Sequence, residues 1–335
     1  MDNKIAVLGG GSWGIAIAVL LRTNGNKVSI WEFNRNDYSR LLEEREHKIK
    51  LPGVRIPDDI EIENRLGEAI EDARIICLAV PSHTVREVCR FLAGFDLPAD
   101  TKVVNLAKGI EIDSLKRMSE VILEEIEVIP ETNVATLSGP SHAEEVGQRM
   151  PTSVVIGSTG IETAENLRDI FSNAYFRAYS SPDIVGVELG GALKNIIAIA
   201  AGIVDGLAGG DNARGALFAR GMAEISRLGI AMGAHPLTFA GLSGFGDLIT
   251  TCISRHSRNR NFGEKIGAGK NFEEAMGEMT MVVEGVRTTR AAYRLKSGFG
   301  VEMPITEEVY QILFDHKNPR DALFDLMTRD LKSEI

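Results

Sequence analysis

The feature that most constrains this chain is a glycine-rich turn directly after its first apolar run. Residues 5–8 read Ile-Ala-Val-Leu, and Gly9-Gly10-Gly11-Ser12-Trp13-Gly14 follow, ahead of a second apolar stretch. Between a strand and a helix, Gly9 allows a tight turn, Gly11 lets the backbone approach a pyrophosphate, and Gly14 lets the helix pack closely. Free N–H groups at the helix start favour the same anion. The pattern predicts dinucleotide binding; the alternative is a glycine-rich turn without a ligand.

An acidic residue follows the second apolar run at a diagnostic distance. Glu32 lies 18 residues after Gly14 and directly follows the run 27–31. A carboxylate about 20 residues after the glycines accepts a hydrogen bond from the adenosine ribose in NAD-binding folds. It would also repel the 2′-phosphate of NADP, so Glu32 favours NAD. Two alternatives stay open, because Arg35 could bind a 2′-phosphate and Glu32 could be a solvated loop residue.

The order of apolar runs predicts an α/β N-terminal half and an all-α C-terminal half. Seven candidate strands alternate with helical patterns at 5–8, 28–31, 74–79, 102–106, 134–137, 153–156 and 175–178. Such alternation is typical of a Rossmann-like, doubly wound parallel sheet. Beyond residue 182 only helix-length segments follow, at 183–206, 212–231, 242–252, 284–297, 305–314 and 320–327. We predict a dinucleotide-binding domain over 1–182 and a helical substrate-binding domain over 183–335.

Composition narrows the classes of protein to consider. A length of 335 residues suggests about two domains, and the net charge of −10 argues against a nucleic-acid or anionic-membrane binder. Three cysteines without a CxxC pair, and no histidine pair at ligand spacing, predict reduced thiols and no metal site. The apolar stretch 196–204 is too short to span a bilayer, and no signal peptide is evident. We expect a cytoplasmic protein.

A lysine interrupts the most apolar helix. The segment 185–202 is apolar nearly all round except at the adjacent Lys194 and Asn195. Buried lysines are rare unless they are paired or used, and desolvation disfavours their charged form. We predict that Lys194 is a proton acceptor near neutral pH. The alternative is a lysine that extends its amine to solvent at a domain boundary.

Further candidates follow the predicted strands, because ligands of open α/β sheets bind beyond the strands' carboxyl ends. Lys108 comes just after run 102–106, and Ser138-Gly139-Pro140-Ser141 comes after run 134–137. Both could equally be ordinary loops. His83 follows run 74–79, and we interpret it as a helix-start residue.

Two motifs stand out in the helical half. Asp247 follows the glycines of Gly244-Phe245-Gly246, and residues 254–261 contain three arginines within six positions. Arginine offers a planar fork that matches phosphate, so Arg255, Arg258 and Arg260 form a candidate anion site. The alternative is a solvated helix start.

Together these motifs resemble the bacterial-type NAD(P)-dependent glycerol-3-phosphate dehydrogenases over nearly the whole chain. The resemblance rests on residues 9–14, 51–53, 79–83, 108–111, 137–141, 187–195, 206–212, 246–248, 257–260, 283–286 and 303–306. It implies interconversion of sn-glycerol 3-phosphate and dihydroxyacetone phosphate, supplying phospholipid synthesis, in a homodimer. One departure is Trp31-Glu32-Phe33, where many relatives carry a basic residue after the tryptophan; this agrees with the NAD preference.

The resemblance also assigns roles to residues. Lys194 is implied as proton acceptor, and Lys108 as a contact of both substrate and cofactor. Substrate contacts are implied for Gly139, Ser141, Asp247, Ser257, Arg258 and Asn259. Cofactor contacts are implied for Ser12, Trp13, Ala143, Arg258 and Glu284. We hypothesise that Lys108 and Asn195 stabilise the alkoxide and that Asp247 either orients Lys194 or binds a substrate hydroxyl.

Two alternative functions fit part of this pattern. A different two-domain dehydrogenase, acting on a hydroxy acid or a phosphorylated sugar acid, could also use a lysine base, but the Arg258 region and the motif set argue against it. A non-catalytic NAD-sensing module would not need a lysine buried in an apolar helix.

Overall fold

The computed structural model describes residues 4–331, 333 and 334. Within them the chain forms two compact units. One contains the described residues up to Lys108 together with Lys116–Glu188, and the other contains Gly109–Leu115 and the described residues from Leu189 onwards.

An eight-stranded sheet forms the centre of the first unit. All ten strands of the described residues lie in this unit: β1 Lys4–Leu8, β2 Lys27–Trp31, β3 Glu46–His47, β4 Leu51–Arg55, β5 Glu61–Glu63, β6 Ala73–Leu78, β7 Lys102–Asn105, β8 Val134–Ser138, β9 Thr152–Gly157 and β10 Phe176–Ser181. The sheet order is β10-β9-β8-β7-β6-β1-β2-β5, and β3 pairs only with β4. Because β2 and β6 flank β1 on opposite sides, the chain reverses its direction of winding there, which is where such folds bind nucleotides.

Helices cover both faces of this sheet. They are α1 Ser12–Thr23, α2 Arg35–Glu44, α3 Leu66–Ile70, α4 Val85–Leu92, α5 Met118–Glu125, α6 Ala143–Gly147 and α7 Ile161–Phe171. Ile5 and Val7 of β1 belong to one hydrophobic core, whereas Ala6 and Leu8 belong to a second core. Alternate side chains of a strand point to opposite faces, so a strand that is apolar throughout must be covered twice. The doubly wound fold is confirmed.

The sheet is not parallel throughout, which corrects the expectation of a uniformly parallel arrangement. Strand β8 pairs antiparallel with β9, and β10 runs parallel to β9. The connection from Ser138 to Thr152 contains only the five-residue helix α6. A parallel crossover usually requires a longer helix, so this short connection turns the chain back beside β8.

The second unit is helical, as expected. Helix α8, Ile184–Gly206, begins in the first unit and ends in the second. It is followed by α9 Gly210–Ala231, α10 Asp247–Ile253, α11 Arg258–Gly267, α12 Phe272–Gly277, α13 Glu284–Phe299, α14 Pro304–Phe314 and α15 Pro319–Met327. Helices α11 and α12 were absent from the sequence prediction. The segment 242–252, predicted as one helix, starts with a π-helical turn at Leu242–Gly246.

The start of α8 explains why the division differs from the predicted boundary at 182/183. Ile184 packs in the second core of the first unit. The Glu188 carboxylate accepts hydrogen bonds from the Ser119 backbone N–H at 2.8 Å and from Arg117 Nη1 at 2.7 Å. Burial raises the pKa of Glu188, and the Arg117 guanidinium opposes that rise. The first turn of α8 therefore belongs to the first unit.

Helix α8 is long and apolar enough to cross a membrane by length and composition, but 94% of its most apolar window is buried in the protein. Core helices of water-soluble folds have the same composition. Its burial accounts for its sequence without a membrane.

Candidate functional site

The glycine turn between β1 and α1 has the predicted geometry. Gly9 has φ +121°, and a Cβ there would lie 2.7 Å from the Ala79 carbonyl oxygen. A Cβ on Gly14 would lie 1.8 Å from the Gly9 carbonyl oxygen. Only glycine is tolerated at these positions, because no side chain fits so close to backbone. The turn thus brings the start of α1 close to the ends of β1 and β6.

The same turn leaves room for an anion. A Cβ on Gly11 would meet no atom within 4 Å, and no side chain caps the N-terminus of α1 at this residue. Ser12 and Trp13 form the first turn of α1 and are half-buried. An uncapped helix start carries free N–H groups and a partial positive charge. These features fit the pyrophosphate of a dinucleotide.

Glu32 is buried at the end of β2 and is tied to the glycine turn. It is 8% exposed, its Oε2 accepts a hydrogen bond from the Gly10 N–H at 3.1 Å, and its Oε1 accepts one from the Asn34 N–H at 2.8 Å. Its carboxylate therefore holds the turn against β2, a role that sequence reasoning did not foresee. A cavity beside it is lined by Phe33, Asn34, Arg35, Asn36 and Asn64. The ribose contact of Glu32 stays a prediction.

Lys108, Gly139 and Ser141 come together beyond the ends of β7 and β8. Lys108 Nζ donates a hydrogen bond to the Gly139 carbonyl oxygen at 3.0 Å, and Ser141 Oγ donates to the same oxygen at 2.9 Å. Gly139 has φ +131°. Ala143, the first residue of α6, follows them and is buried. The neighbouring parallel strands β7 and β8 thus bring these predicted residues to one edge of the sheet.

In the second unit, Lys194 is buried and forms an ion pair. It is 6% exposed, and its Nζ donates to Asp247 Oδ1 at 2.9 Å and to Thr251 Oγ1 at 2.6 Å. The Thr251 hydroxyl lies 3.2 Å from the same Asp247 oxygen. The expectation that Lys194 is buried is confirmed, and the lysine that reaches out to solvent is excluded. A buried carboxylate at this distance favours the ammonium form and opposes the effect of desolvation.

Thr251 was missed by sequence reasoning. It lies four residues after Asp247 on α10, so both side chains share one face of that helix. That spacing was the available signal. Cys252, the next residue, is also buried, and burial raises the pKa of its thiol to about 12, so the thiol stays neutral.

A chain of amides connects α8, α11 and α13. Asn259 Nδ2 donates to Asn195 Oδ1 at 2.9 Å, and Asn259 Oδ1 accepts from the Gly285 N–H at 2.9 Å. Both asparagines are buried. Glu284 is the first residue of α13 and is half-buried. Asn259 thereby fixes the start of α13 against the turn of α8 that carries Asn195.

The three arginines within residues 254–261 do not act together, which corrects the prediction that they form one anion site. Arg260 donates from Nε to Asp205 Oδ2 at 2.8 Å, so this guanidinium is engaged within the fold. Arg258 is exposed and donates to the Val282 carbonyl oxygen at 3.2 Å, and Arg255 is exposed as well. Ser257 caps α11 by accepting from the Arg260 N–H at 3.2 Å. The prediction included Arg260 because the sequence does not show that Asp205 lies within reach of its guanidinium.

Within the described residues, no group of three or more His, Cys, Asp or Glu side chains is arranged to hold a metal ion. The three thiols, Cys77, Cys89 and Cys252, are unpaired and buried.

Comparison with known proteins identifies the family. Residues 4–164 match the N-terminal part, and residues 183–324 the C-terminal part, of NAD-dependent glycerol-3-phosphate dehydrogenase. The chain is 52% identical over 335 residues to glycerol-3-phosphate dehydrogenase (NAD(P)+) of Pelotomaculum thermopropionicum, covering 100% of this chain and 96% of the relative. It is 50% identical over 333 residues to the protein of that name from Chlorobium phaeobacteroides, covering 99% of each.

A solved structure gives the same result. The crystal structure of glycerol-3-phosphate dehydrogenase from Coxiella burnetii superposes with a TM-score of 0.93 at 35% identity, covering 98% of this chain and 99% of that one. The chain belongs to the NAD-dependent glycerol-3-phosphate dehydrogenase family.

Proposed function

We propose that this chain interconverts sn-glycerol 3-phosphate and dihydroxyacetone phosphate by hydride transfer with NAD(P), and so supplies glycerol 3-phosphate for phospholipid synthesis. The observation that carries the proposal is the buried Lys194–Asp247–Thr251 cluster in a chain with an open, glycine-lined nucleotide turn. A nicotinamide, when bound, supplies the hydride chemistry. The protein's own contribution is to bind, to orient and to move one proton.

Lys194 carries that proton. In the reductive direction, the ammonium group donates a proton to the substrate oxygen at C2 while the carbon receives the hydride. In the oxidative direction, the neutral amine takes the proton from the C2 hydroxyl. The Asp247 carboxylate, 2.9 Å from Nζ, keeps the ammonium form available in its buried position, and Thr251 holds the amine in place. This pairing suits Lys194 to donate a proton in the reductive direction.

Other residues bind and polarise the substrate in this proposal. Arg258 provides an exposed guanidinium for the phosphate, and Ser257 and Asn259 lie beside it at the start of α11. Holding the phosphate uses binding energy remote from the reaction to position C2. Lys108 and Asn195 stabilise the negative charge that develops on the C2 oxygen.

The cofactor preference is NAD over NADP. Glu32 is buried beside the turn, where its charge would repel a 2′-phosphate, and this supports the preference. Arg35, in the lining of the adjacent cavity, would favour NADP. We also propose that the active protein is a cytoplasmic homodimer without nucleic-acid partners, on the resemblance to the family.

The first test measures turnover of dihydroxyacetone phosphate with NADH and with NADPH, followed by loss of reduced nicotinamide absorbance. We expect activity with both cofactors and a higher kcat/KM with NADH. Lys194→Ala should lower kcat by about two to four orders of magnitude, the usual contribution of a positioned acid–base group, with unchanged NADH affinity. Lys48→Ala, at a lysine 64% exposed, is the control and should keep full activity. Normal turnover by Lys194→Ala would overturn the assignment.

The second test concerns the phosphate. Arg258→Ala should lower kcat/KM for dihydroxyacetone phosphate by about 10- to 150-fold, the equivalent of one lost hydrogen bond to a charged group. The same variant should leave the slow reduction of unphosphorylated dihydroxyacetone nearly unchanged. The matched control is Arg255→Ala, which removes a neighbouring exposed guanidinium. Equal losses on both substrates would reject a phosphate role for Arg258.

A further inference from the structure

Helices α8 and α11 approach each other so closely that their backbones meet. Four glycines, two on each helix, have a backbone carbonyl oxygen of the other helix where a Cβ would stand: Gly202, Gly206, Gly263 and Gly267. A Cβ on Gly202 would lie 2.0 Å from the Arg260 carbonyl oxygen, and one on Gly263 would lie 2.0 Å from that of Ile199. Real Cβ atoms do not approach this closely, so the separation of the two helices depends on these glycines.

The contacts also define a register. Asn195 pairs with Asn259, Ile199 with Gly263, and Ile203 with Gly267. Partner numbers increase together along both helices, four residues at a time, so α8 and α11 run side by side in the same direction. Each of the four glycines faces one particular backbone carbonyl of the other helix, and these contacts define the register.

Two polar contacts hold the start of α11 against α8. The Asn195–Asn259 hydrogen bond of 2.9 Å joins the two helices near the start of α11. Towards the end of α8, Asp205 accepts from Arg260 Nε at 2.8 Å, and Arg260 Nη2 lies 2.7 Å from the same carboxylate oxygen. The second contact holds the helices together without adding volume between them.

Helices α8 and α11 together carry the residues that are proposed to bind the two ends of the substrate. Lys194 and Asn195 lie on α8, and Ser257, Arg258 and Asn259 stand at the start of α11. We propose that the glycine packing of α8 against α11 sets the spacing between the reacting carbon and the phosphate of the substrate, and so selects three-carbon phosphates. This inference rests on the proposed function of Lys194 and Arg258.

In dihydroxyacetone phosphate, one methylene and one oxygen separate the reacting carbon from phosphorus. A substrate held at both ends is aligned for reaction only when the two groups of the protein match that length. Unphosphorylated dihydroxyacetone is held at one end only, so its reaction does not depend on the spacing.

The test is Gly263→Ala, which places a methyl group against the Ile199 carbonyl and forces the helices apart. A misplacement near 1 Å can cost about 100-fold in rate. We expect kcat/KM for dihydroxyacetone phosphate to fall by about 10- to 100-fold. The rate with unphosphorylated dihydroxyacetone should stay within about threefold of wild type. We also compare the substrate's homologue that has one more methylene between carbonyl and phosphate. The ratio of kcat/KM for dihydroxyacetone phosphate to kcat/KM for this homologue should fall by at least about tenfold.

Gly215→Ala in α9 is the matched control, because a Cβ there meets no atom within 4 Å. It should leave all three rates unchanged. If Gly263→Ala does not fold, Asp205→Asn loosens the same helix pair without a clash, and it should weaken the preference in the same direction by about threefold.

The outcomes are distinct. Equal loss on the phosphorylated and unphosphorylated substrates, or an unchanged preference in folded Gly263→Ala and in Asp205→Asn, would overturn the spacing role. A wild-type protein that does not reduce dihydroxyacetone phosphate would instead overturn the proposed function.

Discussion

Two regions of the molecule are held in shape in opposite ways: the nucleotide turn, residues 9–14, and the Lys194 cluster, formed by Lys194, Asp247 and Thr251. The turn uses six consecutive residues, and its shape follows from where a side chain cannot fit, as at Gly9 and Gly14. The cluster joins side chains from α8 and α10 that are more than 50 residues apart in the chain. The predicted binding site, made of backbone, is encoded locally, whereas the proposed proton-transfer cluster needs tertiary structure to bring its charges together.

The two regions also differ in what limits substitution. At the turn the limit is steric, because added atoms meet backbone. At the cluster it is electrostatic, because Lys194 and Asp247 are 6% and 2% exposed and each neutralises the other. Removing one partner leaves an uncompensated buried charge.

The largest effect is expected in the cluster. Asp247→Asn should destabilise the protein by about 3–5 kcal/mol, because the Lys194 ammonium loses its buried counter-charge. It should also lower kcat for reduction by about 100-fold or more. Thermal unfolding and steady-state rates measure the two effects.

Thr251→Val is the matched comparison, since it keeps the ion pair and removes only the hydroxyl that accepts from Lys194 and donates to Asp247. Its kcat should fall by only about 2- to 10-fold. If both variants lost activity equally, the charge of Asp247 would not be the deciding factor.

Substitutions in the nucleotide turn should weaken cofactor binding. Gly14→Ala should weaken NADH binding by about 10- to 100-fold and lower the melting temperature, because its methyl group would displace the Gly9 carbonyl. Gly11→Ala, where no protein atom is near, should weaken NADH binding without lowering the melting temperature. Calorimetric titration and thermal unfolding separate the two variants.

For both glycine variants, kcat at saturating cofactor should stay within about threefold of wild type, since the Lys194 cluster, which we propose transfers the proton, is untouched. A large loss of kcat with unchanged NADH affinity would contradict the division of labour between the two regions.

The smallest effect on cofactor use is expected at Glu32. Glu32→Gln removes the charge that opposes a 2′-phosphate, so the ratio of kcat/KM for NADPH to that for NADH should rise by about tenfold. Arg35→Gln removes a nearby cation and should lower the same ratio. An unchanged ratio in both variants would mean that neither side chain senses the 2′-phosphate.

Much of the fold could be predicted from sequence, for physical reasons that also explain the failures. Strands such as β1 and β6 were found because both of their faces are buried, which makes them almost entirely apolar. Strand β5, with the sequence Glu-Ile-Glu, gave no such signal, and the antiparallel β8–β9 pair depends on a connection whose path is tertiary. Helix α11 was missed because its only buried apolar side chains are Phe262 and Ile266, and its closest contacts with α8 are made at two glycines, Gly263 and Gly267, which add nothing to a hydrophobic pattern.

The candidate site shows the same division. Lys194 was predicted because a charge in an apolar helix is anomalous, and the structure confirms that it is buried. Thr251 carried no anomaly, and the engagement of Arg260 by Asp205 connects residues 55 positions apart. Sequence patterns indicate where a costly group sits, but not which partner neutralises it.

The position of Glu32 has a consequence for redesign. Its carboxylate accepts hydrogen bonds from both Gly10 and Asn34, so the residue that we predict to discriminate between cofactors also holds the glycine turn in place. A directed-evolution route from NADH to NADPH that simply discards this acid would disorder the loop it needs. Successful lineages should therefore retain Glu32 and gain cations around it, or acquire a neutral acceptor in its place before changing cofactor.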